Sequence, residues 1–328
     1  KLHHAVADGV AGIAALGAFV DLTPDPPAME APPWVPAPTP SDGEIFRDNV
    51  RRRLQELNRA LSALAEPIET FRRIQRAWPA VREMFMEGRA PRTSLNRRIG
   101  SDRRLAVVHG NLDVVRQIGH AHGGTVNDVL LTALAGGYAD LLGGRGEHIG
   151  SLVLRAFVPV SLHQEDSRSA RGNLDGGMVA PLPIGEPDHV RRLRKIAAET
   201  AERKKKVRPQ GGILFRNVLI QRTFLRLMPR QRFMNAYVAN VPGPPIPMYF
   251  AGAPVLELFP VVPIMGNMSI GVGALSYAGQ LNITAVADRD VCPDLEAFMG
   301  GVRSSLQALD RSLNQERSVR EEANNARD

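Results

Sequence analysis

Between Glu44 and about Gly88 the apolar positions recur at helical spacing. Ile45, Val50, Leu54, Leu57, Leu61 and Leu64 mark one stripe, and Phe71, Ile74, Trp78, Val81, Met84 and Phe85 a second. Breaks near Pro67 and Pro79 divide the run into two segments. The other faces hold Arg47, Arg51, Arg52, Arg53 and Arg59, then Arg72, Arg73, Arg76 and Arg82. Two readings stay open for this pair: interfacial helices on a lipid surface, or a core-packed layer with a solvated basic face. Upstream, Val10 to Val20 spaces Val10, Ile13, Ala14, Gly17 and Phe19 or Val20 as a buried helix. Asp21 to Asp42 is proline-rich and aperiodic, an extended linker with Trp34 as a possible anchor.

Beyond the turn-rich stretch Pro91 to Asp102, strand and helix patterns alternate. Leu105 to Val108 reads as a strand, and Asn111 to His122 as a helix with Val114, Val115 and Ile118 inward. Val129 to Leu142 is apolar on most faces, which predicts a buried helix, and Thr125, Asn127 and Asp128 suit its cap. Strands are expected at Leu152 to Val160 and Gly177 to Ile184. A charged helix follows from Pro187 to Lys206, with Val190, Leu193, Ile196 and Ala197 inward, and another from Gly211 to Met228. The chain then turns strand-rich: Asn235 to Val241, Ala251 to Phe259, Met268 to Tyr277 and Gln280 to Asp288, with Ala278-Gly279 as a hairpin turn. Pro293 opens a last amphipathic helix to about Leu313, and the polar residues after it are expected to fray.

Composition narrows this picture. At 328 residues, 44% hydrophobic and 23% charged, one large or two medium domains are expected. Aromatics are 5%, so aliphatic side chains must fill the core. The one cysteine, Cys292, rules out an internal disulfide and fits a reducing compartment. It reads as a small, semi-buried residue before a helix. No run approaches the roughly 18 apolar residues of a membrane-spanning helix, and no signal peptide is visible. The net charge of +7 suits an anionic membrane, CoA phosphates or nucleic acid. Neither a stacking motif nor a recognition helix accompanies it, so nucleic acid is not expected as a partner. His120 and His122 lack further ligands at diagnostic spacing, and no metal is expected.

The sharpest chemistry lies in Lys1-Leu2-His3-His4-Ala5-Val6-Ala7-Asp8-Gly9. An imidazole titrates near neutrality and can take and return a proton in one cycle. Asp8 can reach back across a turn, and Gly9 permits a tight strand-to-helix turn. This HHxxxDG string resembles the active-site motif of the CoA-dependent acyltransferases, among them chloramphenicol acetyltransferase, the carnitine acyltransferases and peptide-synthetase condensation domains. Thr125 to Leu131 (TVNDVLL), Phe157 to Ser161 (FVPVS), Gly172-Asn173, Ala180 to Ile184 (APLPI), Asn240 to Pro244 (NVPGP) and Leu275 to Tyr277 (LSY) follow in order. So do Ala287-Asp288 and Val291 to Asp294 (VCPD). Together they are similar to the bacterial wax ester synthase/acyl-CoA:diacylglycerol acyltransferase family, from Lys1 to about Leu313.

The resemblance implies a two-domain chloramphenicol-acetyltransferase-like α/β fold with a tunnel between the halves, the first half truncated at its N-terminus. Residues 1–102 would be the end of the N-terminal domain, 103–315 the C-terminal domain and 316–328 a polar tail. It implies that His4 is the general base, that Asp8 and Gly9 support the loop with His3, and that acyl-CoA is a co-substrate with no permanently bound cofactor. The acceptor would be diacylglycerol or a long-chain alcohol. Asn127 and Asp128 match a second motif, for which a helix cap is an equal reading. Ser276 and Tyr277 are candidates at the tunnel or as oxyanion donors, against packing on a strand face. A cytoplasmic protein attached peripherally to the inner membrane face or to lipid bodies is implied. The alternatives are a non-catalytic lipid-surface protein on the same scaffold and a condensation-type acyl or peptidyl transferase.

Overall fold

The computed structural model describes residues 17–27, 35–65, 88–161, 175–206, 222 and 225–325. Its chain divides into two compact units, Asp25–Glu87 and the combination of Lys1–Pro24 with Gly88–Asp328. In the smaller unit, helix α1 covers Asp42–Ala65. Ser41 and Glu44 start it reciprocally: the Ser41 amide and hydroxyl each donate to Glu44 Oε2 at 2.8 Å. The second helical segment expected before Gly88, with Trp34 and residues 10–16, lies outside the described residues. The end of the helix expected from Val10 to Val20 is corrected: residues 17–19 form a turn with Phe19 68% exposed. Asp21 then bridges Tyr249 through two backbone hydrogen bonds, an extended geometry incompatible with helix.

In the larger unit the order is β1 (Arg103–Asn111), α2 (Leu112–Ala121), α3 (Val126–Gly144), β2 (Val153–Ser161), β3 (Asp175–Pro183) and α4 (His189–Lys206). A 3-10 turn at Met228–Arg230 leads to β4 (Ala236–Pro242), β5 (Tyr249–Phe250), β6 (Ala253–Pro254), β7 (Ile270–Tyr277), β8 (Gln280–Asp288) and α5 (Leu295–Asn325). Six strands form one sheet in the order β1-β8-β7-β4-β2-β3. The β2–β4 and β4–β7 pairs are parallel and the others antiparallel. Ala278 and Gly279 both take positive φ, which gives the two-residue β7–β8 turn the twist of its strands.

Side-chain alternation divides the sheet into two faces. Ile270, Val272, Ala274, Ile283 and Ala285 point to one side and share a core with α2, α3, α4 and α5. Helix α3 lies deep in that core because its sequence is apolar all round. Small residues let α5 come close: a Cβ at Gly137 would sit 2.6 Å from the Phe298 carbonyl oxygen. Tyr138 meets Phe298 beside it, ring centroids 4.7 Å apart. No helix among the described residues is long and apolar enough to cross a membrane.

The other face of β7 is covered by an extended strap, residues 255–265. A Cβ at Gly271 would lie 2.9 Å from Ile264 Cγ2, and one at Gly273 3.0 Å from Pro260. This corrects the strand expected over Ala251 to Phe259. Only Ala253–Pro254 pairs, in a two-residue hairpin with β5 across the positive-φ turn Ala251-Gly252. Pro260 and Pro263 have no N–H to give a ladder, so the segment lies on the sheet instead of in it. Asn282 Nδ2 holds it by donating to the Leu258 carbonyl at 3.0 Å. The last helix is also corrected. Instead of fraying after Leu313 it runs to Asn325, because that stretch has no glycine or proline and Arg317 donates to Gln117 Oε1 on α2 at 2.9 Å.

Candidate functional site

Three of the segments quoted for the resemblance meet at one end of the sheet. Strands β2, β4 and β7 are neighbours running the same way, so Phe157 to Ser161, Asn240 to Pro244 and Leu275 to Tyr277 all sit at their carboxyl ends. Sequence order alone separates these segments by dozens of residues. The Asn240 to Pro244 turn is locked to β7. Gly243 N–H donates to Ser276 Oγ at 3.2 Å, and a Cβ there would come within 2.2 Å of the Ser276 carbonyl oxygen. Only glycine admits that approach.

Ser276 accepts this hydrogen bond at the rim of the sheet, half-buried. Tyr277 is buried, its hydroxyl accepting from the Met248 amide and donating to the Val255 carbonyl, both at 2.8 Å. Its O–H is thereby engaged in clipping the β5–β6 hairpin and the strap to β7. The second motif splits in the same manner. Asp128, 2% exposed, accepts at Oδ2 from the Thr125 amide (2.8 Å) and hydroxyl (2.7 Å), completing the capping box of α3. Its Oδ1 accepts from the Thr200 hydroxyl of α4 at 2.5 Å. Asn127 is half-buried, and its Nδ2 is sealed from solvent with no hydrogen-bond partner.

At the opposite end of the sheet, Ala287-Asp288 and Val291 to Asp294 build a support. Buried Asp288 accepts from the Gly100, Asp290 and Val291 amides. Arg145 donates to Asp294, the Val291 carbonyl and Ser94 Oγ. That guanidinium holds the Asp294 carboxyl below the usual carboxylate range. Cys292 is fully buried beside it, and burial pushes its thiol up to about 12.

His3, His4, Asp8 and Gly9, with Gly172-Asn173, lie outside the described residues. His120 is exposed, whereas His122 is buried with neither ring nitrogen hydrogen-bonded, and desolvation lowers its pKa. Among the described residues no group of three His, Cys, Asp or Glu side chains is placed to hold a metal. His189 Nδ1 lies 2.9 Å from Ser305 Oγ, but Ser305 is fully buried against Gly136, so the contact is helix packing. Sequence reasoning missed a pair on the strap side of the sheet. His109 Nε2 lies 3.2 Å from Glu257 Oε1, with the Phe259 ring edge-on to the imidazole. Period-2 alternation along β1, taken past Val108, would have put His109 on that face.

With the geometry in place, comparison with known proteins defines the class. The fold matches the wax ester synthase/diacylglycerol acyltransferase from Marinobacter aquaeolei VT8 with a TM-score of 0.63 at 22% identity, covering 95% of this chain and 67% of that one. That likeness shows a mixed α/β fold. Models of one family match in tandem: the wax ester synthase/diacylglycerol acyltransferase catalytic domain over residues 1–130 and the WS/DGAT C-terminal domain over 171–310. The chain belongs to the wax ester synthase/diacylglycerol acyltransferase family. A Mycobacterium tuberculosis protein named as a probable diacylglycerol O-acyltransferase is 28% identical over 327 residues, 95% of this chain and 70% of its own length. A Mycobacterium bovis protein carries the same kind of name at the same identity and coverage.

Proposed function

We propose that this protein moves a long-chain acyl group from acyl-CoA to the hydroxyl of diacylglycerol or of a long-chain alcohol, with His4 as general base. The observation that carries this reading is the catalytic-domain match, which begins at residue 1 and so takes in the whole HHxxxDG string. His4 removes the acceptor's proton as its oxygen attacks the thioester carbonyl. The tetrahedral intermediate then expels the CoA sulfur, and His4 returns the proton to it. A C–O bond replaces a C–S bond, and neither an acyl-enzyme nor a metal is required. Asp8 and Gly9 shape the loop, with His3 as its other support.

Asn127 and Asp128 act in this reading as positioning residues. Asp128 fixes the start of α3, and Asn127 retains an amide donor that is not hydrogen-bonded. Ser276, whose oxygen accepts from Gly243, is the better oxyanion candidate than Tyr277, whose O–H already donates to Val255. Because the acceptor alcohols reside in lipid, the enzyme works at a membrane or lipid-body surface.

The test is acyl transfer from palmitoyl-CoA by the full-length protein, with dioleoylglycerol and hexadecanol offered together and both esters quantified by mass spectrometry. His4→Ala should lower turnover by about 100-fold to 10,000-fold with its far-UV spectrum unchanged. Equal turnover by the two proteins would end the assignment, and the ratio of the two esters identifies the preferred acceptor.

A further inference from the structure

Helix α1 carries a feature that acyl transfer does not use. At about 100° per residue, Phe46, Val50, Leu54 and Leu57 fall within an arc of roughly 80°. Their exposures are 69%, 38%, 60% and 57%. Arg53 borders one side of that arc, and Arg47 and Arg51 the other. All three arginines are exposed, and among the described residues none of the three forms an ion pair. Glu44 and Asp48 point away from the stripe: Glu44 is engaged with Ser41 and Asp48 with Arg52.

We propose that this face of α1 docks on an anionic phospholipid bilayer. This deepens the lipid-surface part of the proposed function and rests on it only for why a bilayer lies nearby. An apolar stripe flanked on both sides by cationic side chains suits the headgroup boundary. Its phenylalanine and leucines enter the acyl region while the arginines extend outward to phosphates. A second copy laid on the same face would set these flanks against each other, charge against like charge. A neutral lipid surface would leave them without a counter-charge. The chain's net charge of +7 favours the same partner.

The full-length protein is floated with vesicles of phosphatidylcholine alone and of phosphatidylcholine mixed with phosphatidylglycerol, at low and at about 0.5 M salt. Binding is expected only to the anionic vesicles and should fall with salt. The triple variant Arg47→Glu, Arg51→Glu, Arg53→Glu should weaken binding by at least about 100-fold. The variant Leu54→Ser, Leu57→Ser should also weaken it, and far-UV spectra check that both stay folded. Acyl transfer to detergent-dispersed alcohol should be unchanged in both, which separates failure of docking from failure of the catalytic reading. Absence of vesicle binding, equal binding to neutral vesicles, or indifference to charge reversal would overturn the proposal. So would a dimer in light scattering that the serine variant abolishes.

Discussion

Replacing Asp128 by alanine removes three hydrogen bonds from a carboxylate that is 2% exposed. Losing the capping box of α3 costs about 1 kcal/mol. Thr200, fully buried, loses its charged acceptor, worth about 1.5–3 kcal/mol. Its hydroxyl also reaches the Ala197 carbonyl at 3.2 Å, which keeps the second contribution near the lower end. The expected destabilisation is therefore about 2.5 kcal/mol, a large part of the 5–15 kcal/mol typical of a folded domain. Far-UV circular dichroism during urea and thermal unfolding measures it. Asp128→Asn keeps a carbonyl acceptor and should lose about half as much. Thr200→Val should cost about 1–2 kcal/mol, and the double variant should fall short of the sum by about 1 kcal/mol, since both changes remove one shared bond. A loss for Asp128→Ala below about 1 kcal/mol, or strict additivity, would refute the reasoning. Unchanged stability with lost turnover would instead make Asp128 a chemical participant.

Two further outcomes follow from buried titratable groups. With its thiol raised to about 12, Cys292 should react with a thiol reagent near neutral pH roughly a thousandfold more slowly in the native protein than in denaturant. Rapid native labelling would contradict its burial. His122 has a folded pKa below its unfolded value because burial disfavours the imidazolium, so the unfolded chain takes up the proton first as pH falls. Stability should therefore be level above the ordinary histidine range and decline as pH drops through it. His122→Leu should flatten that decline between about pH 7 and 5, leaving the part due to His189, which burial shifts the same way. An unchanged pH slope would show that His122 is not desolvated.

Local chemistry explains what could be read in advance. The β7–β8 hairpin follows from Ala278-Gly279 between two alternating runs, and β8 covers the expected Gln280 to Asp288. Helix α3 is buried because its apolar residues leave no polar face, and Thr125 with Asp128 caps it as residues of those types do. The strap misled the pattern for a physical reason. Any extended chain lying on a flat apolar surface buries every second residue, as residues 258–265 do, so such alternation does not distinguish a strand within a sheet from a segment across it. Polarity misled at the end of α5, where a solvated helix needs only good helix formers and a few anchors such as Arg317.

What this sequence determined by itself was the period of each element, its caps and turns, and, through the order of its motifs, its family. Tertiary structure alone decided which motifs become neighbours. Strand order and direction carry Phe157 to Ser161, Asn240 to Pro244 and Leu275 to Tyr277 to one rim and leave Ala287 to Asp294 at the other. It also decided that the Tyr277 hydroxyl is a clip, that Asp128 ties α3 to α4, and that His109 meets Glu257. Those contacts join residues far apart in the chain, and no local preference of either partner encodes where the other will be.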